Sequence, residues 1–227
     1  MAMHAESVEL TDEEHELLCR ENTARLGLEP RLLRLLTAVH EAGHAIVGHT
    51  VGFKVNGAFV TSTDVLGRHG GDHISVDLTP LEDDGIVPLC EVLALKMAGF
   101  QASHTWLRGR GVPAMEQPYK TALNTLAGGD ISQCYEHCNE VGMPDVSTTR
   151  EALYGAAIVL KFRWRAVLRL AYALDTVGVL DEAALQPYLE ADPAAHQEAA
   201  DRYRAWRQRT SDLWLVREHV DAGEGSA

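Results

Sequence analysis

His40, Glu41 and His44 stand in the order His-Glu-x-x-His within Thr37-Ala38-Val39-His40-Glu41-Ala42-Gly43-His44-Ala45-Ile46-Val47-Gly48. At 3.6 residues per turn, side chains four apart share a helix face, so the two imidazoles are neighbours. Two imidazoles so placed can hold one Zn²⁺ at ~2.0–2.1 Å each. Glu41 lies ~100° around the helix from His40. It need not ligate, and it can lie beside the metal and take a proton from water there. Ala38, Val39, Ala45, Ile46 and Val47 make the stretch apolar nearly all round, as in a helix buried in a core. Two histidines and a glutamate are costly in such a place unless paired or metal-bound. Ala42 and Gly43 suit close packing on a neighbour.

A catalytic zinc site ordinarily has three protein ligands and a water. The pattern that adds a glycine seven residues and a histidine ten residues after the first is not met, because those places hold Val47 and Thr50. On a continuing helix His49 points ~180° away from His40. His69 and His73 flank a glycine-bearing turn and read as solvated loop residues. The third ligand is therefore expected from a distant segment, a carboxylate or histidine at an apolar or glycine-bearing helix start. Asp130, in Leu126-Ala127-Gly128-Gly129-Asp130-Ile131, fits best by local context, since it opens a helix and has small neighbours.

The elements that must position these groups are mostly helical. Thr11 and Glu14 form a capping box that predicts a helix to about Leu26, stopped by Gly27 and Pro30. The central helix is predicted over about 31–51, ending near Gly52. Residues 53–61 and 73–77 read as strands around turn chemistry at Asp64 to Gly71, giving a hairpin or small sheet beside the central helix. An edge there could hold a peptide by strand addition. Further helices are predicted over about 88–107 and 119–140, with Gly99 allowing a close contact and a break at Gly128-Gly129. Thr148 and Glu151 form a second capping box, predicting a long helix to Val177 that buries Leu153, Ala157, Leu160, Trp164, Leu168, Ala171 and Leu174. Asp181 caps a short helix to Leu189, and a charged amphipathic tail over 193–216 has Tyr203, Trp206, Leu213 and Trp214 as anchors. The fold class expected is mainly α, of the α+β kind.

The 227 residues, 46% of them hydrophobic, suffice for one large domain or a domain with an appended arm. Asp and Glu outnumber Lys and Arg 33 to 20, giving a formal charge of −13 that argues against nucleic acid or an anionic membrane as partner. No apolar run approaches the ~20 residues of a membrane span. The N-terminus has no secretory pattern, and Cys19, Cys90, Cys134 and Cys138 do not form a disulfide framework, so a cytoplasmic location is expected. Cys134 and Cys138 follow Asp130 at four-residue steps and share its helix face; they read as small buried packers rather than as thiolate ligands.

The run Ala38 to Gly48 resembles the zinc-peptidase domain of the FtsH-type ATP-dependent proteases. Leu95-Lys96-Met97-Ala98-Gly99-Phe100-Gln101-Ala102 is similar to that family's apolar-Ala-Gly-Arg-Ala-Ala helix. Thr125 through Asp130 is similar to its Thr-Gly-Ala-x-Asn-Asp segment, and Leu170-Ala171-x-Ala173-Leu174 with Gly178-x-Leu180 to its C-terminal helix pair. The likeness covers roughly residues 35–190. It implies a helical zinc-peptidase domain over 31–190, between an acidic N-terminal arm (1–30) and a C-terminal amphipathic helix and tail (191–227). It also implies Asp130 as third zinc ligand beside His40 and His44, with Glu41 as catalytic base. The family's ATPase domain and membrane anchor are not expected here, since no Gly-x-x-x-x-Gly-Lys-Ser/Thr is present. Ser103 and His104 stand where the family has two glutamates, and Gly129 where it has Asn. The expected activity is ATP-independent hydrolysis of flexible or unfolded polypeptides. The expected partners are a protein or peptide substrate, an unfoldase in trans and further copies of the chain. The rival expectation is a zinc-bearing interaction module without catalysis.

Overall fold

The computed structural model describes residues 28–60, 74–77, 89–112, 116–140, 142–143 and 145–211. The predicted helix after Thr11, the turn at 64–71, His69, His73, Cys19, Leu213 and Trp214 lie outside these. Among the described residues the fold is mainly helical with one small sheet, as expected.

Helix α1 (Pro30–Val51) is the predicted central helix. Pro30 opens it, where a missing N–H costs nothing. Gly52 ends it in the left-handed conformation (φ 102°), its N–H turned back to the carbonyls of Gly48 and His49. Everything from Leu36 to Gly48 is buried, as the all-round apolar pattern requires. Helix α2 (Leu89–Gly109) packs on α1. At the contact, a Cβ on Gly43 would stand 2.6 Å from the Ala102 methyl and 2.8 Å from the Ala98 carbonyl oxygen. Only glycine lets the two backbones come so near.

Strands β1 (Lys54–Phe59) and β2 (Ile74–Asp77) form the predicted antiparallel pair, with Ala58 opposite Ile74 and a shift of register between Val55 and Gly57. A third strand, β3 (Val179–Asp181), pairs antiparallel on the other side of β1, placing Leu180 opposite Ala58. Three residues are too few to show alternation, so this strand had no signal in the sequence. The order is β2-β1-β3.

The predicted break after α2 appears as two helices, α3 (Tyr119–Leu126) and α4 (Gly128–Glu140), divided at Ala127. Helix α5 (Asp145–Val177) begins before the expected capping box. Thr148 and Thr149 are buried inside it, so Thr148 and Glu151 do not cap it. Its buried face runs through Ala152, Ala156, Val159, Leu160, Val167, Leu170, Ala171 and Leu174. The expected Leu153, Ala157, Trp164 and Leu168 are only half-buried. Arg163 is part of that face at 1% exposure. Its guanidinium donates to the carbonyls of Leu189, Ala191 and Asp192, groups left without helical partners past the end of the short helix α6 (Glu182–Leu189). Asp181 caps α6 as expected, accepting from the Ala184 N–H at 2.9 Å.

Helix α7 (Pro193–Arg209) lies chiefly on α5. Tyr203 and Trp206 are buried, as the anchor pattern foresaw. They occupy the place of a side chain at Gly155, where a Cβ would come within 2.8 Å of the Trp206 ring. Arg207 also pairs at 2.8 Å with Glu91 of α2.

Candidate metal centre

His40 and His44, one turn apart on α1, present their Nε2 atoms to the same point, 3.0 Å from each other. The rings meet edge-on, with centroids 4.7 Å apart and planes at 74°. Asp130 arrives from the first turn of α4 and places Oδ2 3.1 Å from each Nε2. These three are the group among the described residues that could hold a metal ion. Ligand atoms bound at ~2.0–2.1 Å to one tetrahedral ion stand ~3.3 Å apart, close to the spacing seen.

Hydrogen placement favours a cation at this point. The Nδ1 of His44 lies 2.7 Å from the Leu95 carbonyl oxygen. A carbonyl only accepts, so Nδ1 carries the hydrogen, and in the neutral ring Nε2 presents a lone pair. That lone pair faces a carboxylate oxygen and a second imidazole nitrogen. Without a metal, only protons can reconcile the three. Burial pulls the His44 pKa down, but the charge and hydrogen bond of Asp130, the charge of Glu41 and the Leu95 carbonyl together lift it to about 9. Burial pushes the Asp130 carboxyl up, and the charge of His44 with the hydrogen bonds of both rings outweighs it, holding the group well below the usual carboxylate range. The position in the first turn of α4 further favours the anion.

Space for an ion comes from α2. A Cβ on Gly99 would overlap His44 Nε2 and stand 2.5 Å from His40 Nε2. The bare Gly99 backbone therefore forms one wall of the cradle. Glu41 is buried beside His40. The His side chains are 4% and 8% exposed and that of Asp130 17%, so solvent reaches the site from the α4 side.

The other residues weighed in the sequence fall elsewhere. His49 points away from the pair, as its helical phase requires, and packs on His196 of α7 with ring centroids 5.0 Å apart. Burial, then the charges of His196 and Arg163, lower its pKa to about 4. His104 stacks on Phe100 of its own helix. Cys134 and Cys138 are fully buried against Leu93, Met97, Met143 and Ala152, the packing role expected of them. Burial, with the charges of Asp130 and Cys138, pushes the Cys134 thiol up to about 12, which keeps it unreactive. The sequence assigns the close approach at Asp130 to its small neighbours, but a Cβ on Gly128 or Gly129 would meet nothing within 4 Å. The close approach is on the α2 side, at Gly99. The Leu95 carbonyl had no signal in the sequence, since every residue carries one.

Fold and site together define a mainly helical protein with a His-His-Asp group, its two histidines buried, able to hold a metal ion. Comparison with family models, curated proteins and solved structures found no match. No helix among the described residues is long and apolar enough to cross a membrane.

Proposed function

We propose that this chain is a zinc-dependent endopeptidase that cuts flexible or unfolded polypeptides. The observation that carries this reading is the convergence of His40, His44 and Asp130 beside a buried Glu41. His40, His44 and Asp130 would hold zinc, which would supply the Lewis acidity to polarise the scissile carbonyl and activate a water. Leu95 holds His44 in the tautomer that presents Nε2, and Gly99 keeps the space clear. The Glu41 carboxylate accepts a proton from the attacking water and delivers it to the leaving amine. An extended substrate can align by strand addition along an edge of the β2-β1-β3 sheet, whose central strand follows α1 directly. By the resemblance to FtsH-type peptidases, an unfoldase in trans and association of several copies would serve the same task in the cytoplasm.

The test is cleavage of unfolded casein by the full chain loaded with zinc. Cleavage should stop on chelation and return with zinc. Glu41→Gln should bind zinc at the same stoichiometry and cut nothing; equal cleavage by that variant ends the enzyme reading. The near-complete burial of both histidines favours one second reading, a zinc-bearing interaction module without catalysis. In that case chelation lowers the melting temperature and no polypeptide is cut under any loading.

A further inference from the structure

Helix α5 presents one face to solvent along most of its length, and that face is basic although the chain carries a formal charge of −13. Arg150, Tyr154, Lys161, Arg165, Arg169 and Tyr172 are all exposed. At 100° per residue they fall in a single stripe ~33 Å long. Tyr154 is 59% and Tyr172 50% exposed, so the stripe carries an open aromatic ring towards each end. The stripe's four cations have no carboxylate partner among the described residues. Of the other described cations, Arg34, Lys54, Arg202, Arg204 and Arg207 are each paired with one, whereas Arg31, Arg108, Arg110, Lys120 and Arg209 also lack one. At the Arg150 end lies an open, shallow cavity of about 350 Å³ lined by Gln101, Arg150, Glu151, Leu153, Tyr154 and Ala157. It has room for an aromatic or aliphatic side chain.

We propose that this face of α5 is a docking surface for an acidic polypeptide segment whose carboxylates recur one helical turn apart. Charge complementarity selects the partner. Lys161, Arg165 and Arg169 follow one another at four-residue steps, ~6 Å along the axis, which is the spacing of glutamates at i and i+4 on a facing helix. Duplex DNA carries a charge every ~1.7 Å, far denser than this row. Nucleic acid or an anionic membrane would also extend over the acidic remainder of the surface, where charges within the ~8–10 Å Debye length repel it. A peptide can occupy the stripe alone, place one apolar side chain in the cavity and lie against the two tyrosines. The surface is independent of the metal centre, and its test does not depend on peptidase activity.

The test is fluorescence anisotropy of a labelled poly-glutamate peptide titrated with the full chain. Saturable binding is expected, weakening about tenfold between about 50 and about 300 mM salt. The charge-reversed variant K161E/R165E/R169E should lose binding at least about tenfold, with an unchanged melting curve since all three positions are exposed. The neutral variant K161Q/R165Q/R169Q should lose it in part. R202E/R204E, on α7, should bind as the unaltered chain does. The proposal is overturned if poly-glutamate does not bind, or if the neutral and charge-reversed variants bind it undiminished. It is also overturned if oligothymidylate or phosphatidylserine vesicles bind to the stripe as tightly as poly-glutamate.

Discussion

Replacing Gly99 by alanine adds a single methyl group where the metal centre has no room for it. The new Cβ would overlap His44 Nε2 and lie 2.5 Å from His40 Nε2 and 2.6 Å from His40 Cδ2. Relaxed contacts between such atoms are ~3.5 Å, so about 1 Å must be found. If α2 retreats, the α1–α2 contact opens at a cost of about 1–3 kcal/mol. If the rings turn aside, the site loses donors. Apparent zinc affinities of ~10–16 kcal/mol spread over four ligands give ~3 kcal/mol for each, so displacing one imidazole costs about 100-fold in affinity. The assay is zinc titration against a chromophoric chelator, with circular dichroism giving the folded fraction. Gly43→Ala is the control. Its Cβ meets the Ala102 methyl and the Ala98 carbonyl but no ligand, so it should lower stability while leaving zinc affinity within about tenfold. A Gly99→Ala protein that keeps both the stability and the zinc affinity of the unaltered chain would refute the placement of the ion between the two rings.

Metal-free stability should depend on pH through His44. Its pKa in the folded chain, about 9, lies above the ordinary 6.5. The stabilisation is therefore full below 6.5 and lost as the pH rises towards 9, about 2 kcal/mol between about pH 7 and about pH 8.5. His49, already neutral in the folded chain over that range, contributes little and in the opposite sense, since only the unfolded chain still binds some proton there near pH 7. Urea melts of the chelated protein should show the decline, and His44→Gln should flatten it. Gly155→Ala puts a Cβ 2.8 Å from the Trp206 ring and 3.2 Å from Tyr203; the expected loss is about 1–3 kcal/mol, with a red shift of tryptophan emission as Trp206 moves towards water. An unshifted spectrum with unchanged stability would mean that α7 does not pack through this ring.

Much of this was legible in the chain itself. The His-Glu-x-x-His spacing fixes two imidazoles on one face of any helix that contains them, because helix geometry is local. The apolar surroundings of that helix specify its burial, and Gly52 and Asp181 mark ends that φ preference and capping can encode. Periodicity also placed the hairpin, the buried cysteines and the Tyr203–Trp206 anchor. It placed the buried face of α5 less well, because a helix with apolar residues on several sides does not declare which side meets the core, and nothing local marks Arg163 as the residue that closes α6.

What only the tertiary structure decided is long-range. Asp130 stands 90 residues from His40, and residue type and neighbours made it one candidate among several; its Oδ2 meets the rings because Ile131, Cys134 and Cys138 seat α4 on α2 and α5. The Leu95 carbonyl that sets the His44 tautomer and the missing Gly99 side chain that leaves space for an ion are properties of one helix lying against another. A sequence records which groups are available. Convergence of three of them on a point is a fact about packing, and packing depends on every buried contact at once.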